Sequence, residues 1–181
     1  VLKEDICWIN RIKNGKKNEY SNIVKKYKNG IYSFIFRMVR NQEDAMDLAQ
    51  ETFIKAYNNL DTFKVEHSFK SWLYTIASHH TIDFLRKKKH MKKVELEDRD
   101  GTESYVSPVD RLINDEKIKR LNRAVNGLKE SYRMAIILKH KRGMSVKEIS
   151  EIMGVPQGTV KTWLHRARAE LRKKIGQVNG I

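Results

Sequence analysis

With 181 residues the chain has room for one or two small cores, and 37 Lys and Arg against 22 Asp and Glu leave a formal charge of +15. A charge of that size points to a polyanion, nucleic acid before membrane, although a solubilising surface or RNA binding of the ribosomal-protein kind also fits. The single cysteine, Cys7, excludes an intrachain disulfide and a cysteine-built metal cluster. No apolar run approaches the roughly 20 residues that span a bilayer, and there is no signal-peptide core, so a cytoplasmic location is expected.

Two prolines and nine glycines in a chain rich in Leu, Ile, Lys, Arg and Glu predict an all-α protein. Ile6, Ile9 and Ile12 mark a first helix. Tyr20, Ile23, Val24, Tyr27, Ile31, Phe34, Ile35 and Met38 continue the spacing of three and four, with Asn29-Gly30 as a candidate break or distortion. Asn41 reads as an N-cap, with Glu43 and Asp44 in the first turn where acidic groups suit the helix dipole. Ala45, Leu48, Ala49, Thr52, Phe53, Ala56, Tyr57 and Leu60 form the next stripe. After a loop at 61–66, Ser68 caps a helix carrying Phe69, Leu73, Ile76, Ala77 and Phe84. Such amphipathic helices bundle on their apolar faces.

Periodicity fails over 91–110, where acids, serines, Gly101 and Pro108 give linker composition. Helices resume from Arg111: Leu112, Leu121, Ala124, Val125 and Leu128 share a face, and Tyr132, Ala135, Ile136 and Leu138 follow until Gly143. Ser145 and Glu148 form a capping box, in which each side chain satisfies the other's orphan backbone N–H. Gly154-Val155-Pro156 then interrupts a short helix, and a last helix at 157–175 keeps Val160, Leu164, Ala167 and Leu171 on one side.

A short helix, a glycine turn and a longer basic helix make a helix-turn-helix. Ile149, Met153, Val160 and Leu164 would fill its core, with the small Ser150 at the crossing. Thr159, Lys161, Thr162, His165, Arg166 and Arg168 are the candidate DNA contacts: Arg166 for a base edge with Thr162 and His165 beside it, Lys161 and Arg168 for phosphates. A generic hairpin with a solvated basic face is the plain alternative.

The 41–61 segment holds five acids and one base inside this basic protein. Asp44, Asp47, Gln50, Glu51 and Ile54 lie opposite its apolar stripe, a face that repels DNA and suits a basic protein partner unless it is merely solvated. The helix after Ser68 ends in a tract, 86–93, with six Lys or Arg in eight residues, preceded by Phe69, Trp72 and Tyr74; basic charge beside aromatics suits a DNA backbone and unstacked bases, while Phe69 and Trp72 also fit a core. His79-His80 lacks a spaced third ligand, so no metal or cofactor is expected, and His80 and Asp83 read as helix-surface or solvent-bridged groups. A phosphate loop and a paired nucleophile and base are likewise missing, so neither an enzyme nor a small-molecule substrate is expected. An operator-binding regulator or a helical RNA-binding protein remain as other classes.

Taken in order, Asp47-Leu48-Ala49-Gln50-Glu51-Thr52-Phe53, Phe69-Lys70-Ser71-Trp72-Leu73-Tyr74-Thr75-Ile76-Ala77 and Ile82-Asp83-Phe84-Leu85-Arg86-Lys87 resemble the sigma-2 domain of extracytoplasmic-function (ECF) sigma factors. Ser145-Val146-Lys147-Glu148-Ile149 through Gly158-Thr159-Val160-Lys161-Thr162-Trp163-Leu164-His165-Arg166-Ala167-Arg168 resembles their sigma-4 domain. The resemblance implies a sigma-2-like domain at 1–90, a flexible linker at 91–110 and a sigma-4-like domain at 111–181. It implies core RNA polymerase as partner, with Asp44, Asp47, Gln50, Glu51 and Ile54 on the β′ clamp and a second contact on the β flap. It further implies promoter DNA, with 61–70 and the helix carrying Lys70, Tyr74, His79, Arg86, Lys87 and Lys88 at the −10 element and the last helix at the −35 element. Control by an anti-sigma factor, often membrane-anchored, belongs to the same pattern. Ser78-His79 and Trp163 depart from it, standing where an asparagine and a basic residue are usual.

Overall fold

The computed structural model describes residues 2–96 and 116–176, which hold eight α-helices and no strand. The chain divides into two compact units near His90.

The first unit contains α1 (Leu2–Lys13), α2 (Tyr20–Val39), α3 (Gln42–Asn58) and α4 (Phe69–Leu96). Gly15, at φ +91°, ends the α1 segment. Ile9 and Ile12 are buried, and Asp5 joins them beneath the surface because Tyr27 Oη (2.6 Å) and Lys26 Nζ (2.7 Å) both donate to its carboxylate. Burying a carboxylate costs several kcal/mol unless it is so satisfied; α1 is thereby keyed to one register on α2.

The candidate break at Asn29-Gly30 does not occur, for α2 is continuous. A helical glycine costs about 1 kcal/mol. Ile23, Tyr27, Ile31, Phe34, Ile35 and Met38 are all buried from this helix, at roughly 1.5–3 kcal/mol each. Packing wins. Arg40 takes the left-handed conformation (φ 64°), and Asn41 Oδ1 then accepts from Asp44 N at 2.9 Å, the expected cap of α3. Leu60–Thr62 forms a 3-10 turn, and beyond it Phe63 is buried edge-on against Phe69 and 5.5 Å from Trp72, which is half-buried. Phe69 is core.

Helix α4 runs past the expected linker boundary at 91, to Leu96. Met, Lys, Val, Glu and Leu sustain a helix, and no glycine or proline intervenes before Gly101. The rest of the expected linker, with Leu112, lies outside the described residues.

The second unit contains α5 (Glu116–Asn126), α6 (Glu130–Ile136), which widens into a π turn over Ile137–Lys141, α7 (Val146–Met153) and α8 (Gln157–Gly176). Leu121 is exposed (42%), against the face expected for it, whereas Ala124 and Leu128 are buried. Arg133 Nη1 donates to Asn126 O and Lys174 Nζ to Gly127 O, tying α6 and α8 to the turn after α5. Ser145 N donates to Glu148 Oε2 (2.8 Å) while Glu148 N donates to Ser145 Oγ (3.1 Å), so the capping box is formed. Gly154 sits at φ +63° in open space, and Ile149, Ile152, Val160 and Leu164 close the core of the pair. Gly154→Ala meets no atom, so its cost is backbone strain alone, about 1 kcal/mol. The expected result is a fall of roughly 4–8 °C in the melting temperature of this unit; an unchanged melting curve contradicts the strain argument.

Candidate nucleic-acid interface

Helix α8 separates its residues by the 3.6-residue period. Val160, Leu164 and Ala167 are buried; Lys161, Thr162, His165, Arg166 and Arg168 are exposed, and Thr159 and Trp163 are half-buried. Thr162 Oγ1 donates back to Gly158 O (2.9 Å) and Arg168 Nε to Leu164 O (3.0 Å). Arg166 instead reaches off its own helix: its Nη1 donates to Tyr132 Oη on α6 at 3.4 Å.

On α4, His79, Arg86 and Lys87 are exposed and Lys70 is half-buried. Lys88 Nζ lies 2.6 Å from Asp44 Oδ2 and 5.5 Å over the Phe84 ring. Tyr74 cannot serve as a surface contact: it is 2% exposed, its ring edge-on to Phe34 of α2 at 5.4 Å. The buried stripe of α4 includes Leu73, Tyr74, Ala77, Ser78 and Thr81, which share one face at helical spacing, so Tyr74 belongs with the core positions beside it.

The acidic face of α3 is brought together as expected, with Asp47, Gln50, Glu51 and Ile54 exposed (Ile54 by 59%) and Asp44 half-buried against Lys88. Beside Ile54 runs an open apolar groove lined by Tyr20, Val24, Phe53 and Tyr57. The periodicity had assigned both tyrosines to the core; what holds them at its edge is Tyr20 Oη donating to Phe53 O (2.6 Å) and an edge-on contact between the two rings at 4.9 Å.

His80 is not the surface group expected. Its Nδ1 is 2.8 Å from Lys55 Nζ, which can only donate, so the ring accepts there and is neutral with its proton on Nε2; Glu51 Oε2 lies 2.7 Å from Nε2 without the alignment of a hydrogen bond. Burial, and then the Lys55 charge, hold its pKa below the ordinary histidine value, with Glu51 and Asp83 pulling the other way. A histidine depressed on folding is fully favourable above its unfolded pKa of about 6.5 and costs stability as pH falls below that. The first unit should therefore lose melting temperature between pH 7.5 and 5.5, and His80→Gln should lose less. Parallel curves for the two proteins exclude this linkage. Among the described residues no cluster of His, Cys, Asp and Glu is suited to a metal, and no helix is long and apolar enough to cross a membrane.

Two family models match this chain, Sigma-70 region 2 over residues 23–91 and Sigma-70, region 4 over 118–171. ECF RNA polymerase sigma factor SigW of Bacillus subtilis (strain 168) is 38% identical over 176 residues, covering 92% of this chain and 94% of the relative. The chain belongs to the ECF RNA polymerase sigma factors. As an ECF sigma factor it is a transcription initiation factor, acting with core RNA polymerase on promoter DNA. The fold agrees with solved structures of such factors. CnrH, solved in complex with the cytosolic domain of CnrY, superposes with a TM-score of 0.73 at 21% identity, covering 96% of this chain and 98% of CnrH. RpoE from Bartonella quintana, solved with the anti-sigma factor NepR, gives 0.71 at 23% identity, covering 87% and 97%.

Proposed function

We propose that this sigma factor divides its work between two units, 1–90 for core polymerase and the −10 element and 111–181 for the −35 element, with 91–110 joining them. Helix α8 enters the major groove with Arg166 on a guanine edge, Thr162 and His165 beside it, and Thr159, Lys161 and Arg168 on the flanking backbone. In the first unit Lys70, His79, Arg86, Lys87 and Lys88 face −10 DNA, and Asp44, Asp47, Gln50, Glu51 and Ile54 dock on the β′ clamp, with the β flap engaging the second unit. Tyr74 supports this surface from within the core.

The observation that carries the reading is the segregation of charge. Exposed cations line α8 and the end of α4, whereas the exposed face of α3 is acidic around an apolar Ile54. An acidic face is repelled by DNA and complements a basic protein surface. The factor itself supplies recognition, and the chemistry of RNA synthesis belongs to the polymerase. A cytoplasmic location follows from those partners. Control by an anti-sigma factor is part of the same proposal, supported by the partners seen with RpoE and CnrH.

Run-off transcription with purified core polymerase tests it. Adding the chain should yield discrete promoter-dependent transcripts; core enzyme that initiates no more selectively with the chain than without it overturns the proposal.

A further inference from the structure

We propose that Tyr132 is a positioning residue for −35 recognition, holding the Arg166 guanidinium in its base-reading orientation before DNA arrives. This rests on the assignment of Arg166 as a base contact and adds what makes that contact selective. An exposed arginine on a helix samples many rotamers, and fixing one of them on binding costs entropy. Arg166 is exposed on α8 and, among the described residues, has one anchor off its own helix, the Tyr132 hydroxyl oxygen, 3.4 Å from Nη1. The anchor sits on a fixed helix. Tyr132 is half-buried in the first turn of α6, and that helix is fastened to the turn before it by Arg133 Nη1 on Asn126 O. Helix α8 is pinned to the same turn by Lys174 on Gly127 O.

The geometry leaves the reading edge available. Nη1 donates to Tyr132, so Nε and Nη2, the side-on fork that matches guanine O6 and N7, are not spent on the tyrosine. The tyrosine oxygen accepts in this bond, which leaves its own O–H for a water or a phosphate. Among the described exposed residues of α8, Thr162 and Arg168 are bonded back onto their own helix and so owe their poses to α8 alone. Arg166 owes its pose to a second helix.

The test uses holoenzyme assembled from core polymerase and the full chain, selecting from a promoter library randomised across the −35 region, with the wild type, Tyr132→Phe, Arg166→Ala and the double variant compared. Phenylalanine removes only the hydroxyl, and the melting temperature of each variant is measured alongside. Tyr132→Phe should reduce the preference at one base pair by about two- to tenfold, the scale of one hydrogen bond. That base pair should be the one Arg166→Ala relaxes, and in the Arg166→Ala background Tyr132→Phe should change nothing further. A wild-type profile for Tyr132→Phe while Arg166→Ala still relaxes one position overturns the positioning role and leaves the base contact standing. An equal loss in both backgrounds makes Tyr132 a direct DNA contact, which also overturns it, as does a uniform loss over all sequences with a lowered melting temperature. No change at any position with Arg166→Ala removes the base contact itself.

Discussion

Asp47→Lys combined with Ile54→Lys is expected to weaken association with core polymerase by about a hundredfold or more, while leaving fold and DNA binding intact. Both side chains lie on the exposed face of α3, outside the buried stripe of Ala45, Leu48, Ala49, Thr52, Phe53 and Ala56. Folding therefore loses little, since surface substitutions away from caps and networks stay within roughly 0.5 kcal/mol. Binding loses much more. Like charges set against each other across an interface cost several kcal/mol, and the substitution also removes an exposed apolar anchor. A hundredfold is about 2.7 kcal/mol, well inside that range. Glu51 is the less clean choice, because a lysine there would stand against Lys55 and His80 and disturb α4. Affinity measured with purified core enzyme, beside a melting curve, decides the matter. Normal affinity at an unchanged melting temperature reduces the acidic face to a solvated one.

Arg166→Ala carries the second large effect. Removing a bidentate arginine from a guanine edge should lower discrimination at one −35 base pair by roughly ten- to a hundredfold, with the other positions kept. The fold loses little with this side chain: it is exposed, and among the described residues its one bond off α8 is the exposed one to Tyr132. The comparison with Lys161→Ala is informative, because a phosphate contact is lost equally on every sequence and flattens the salt dependence by a slope of roughly 0.9. If Arg166→Ala behaves in that second way, with uniform weakening and an unchanged base profile, Arg166 is a backbone contact.

Local rules were legible wherever one helix sufficed to apply them. The Asn41 cap, the Ser145–Glu148 box, the left-handed Gly154 and the buried Val160–Leu164–Ala167 stripe all depend on residues within a few positions of one another. The outward face of α8 followed from the same periodicity. The readings that failed depended on a second element. Tyr74 looked like a surface aromatic beside basic residues until Phe34 of α2 covered it. His80 looked solvent-bridged until α3 placed Lys55 and Glu51 on its two ring nitrogens. Gly30 looked like a break because propensity is local, whereas the burial that overrides it comes from neighbouring helices.

The amino-acid order by itself determined an all-helical chain with a helix-turn-helix near its end, one acidic helix in a basic protein, and the motifs of its family. Periodicity, capping and charge are properties of adjacent residues, so they need no third dimension to be read. Tertiary structure alone decided which polar groups are paired across helices: Asp5 with Tyr27 and Lys26, Asp44 with Lys88, Arg166 with Tyr132. Those partners lie on different helices, and only packing brings their atoms within hydrogen-bonding reach.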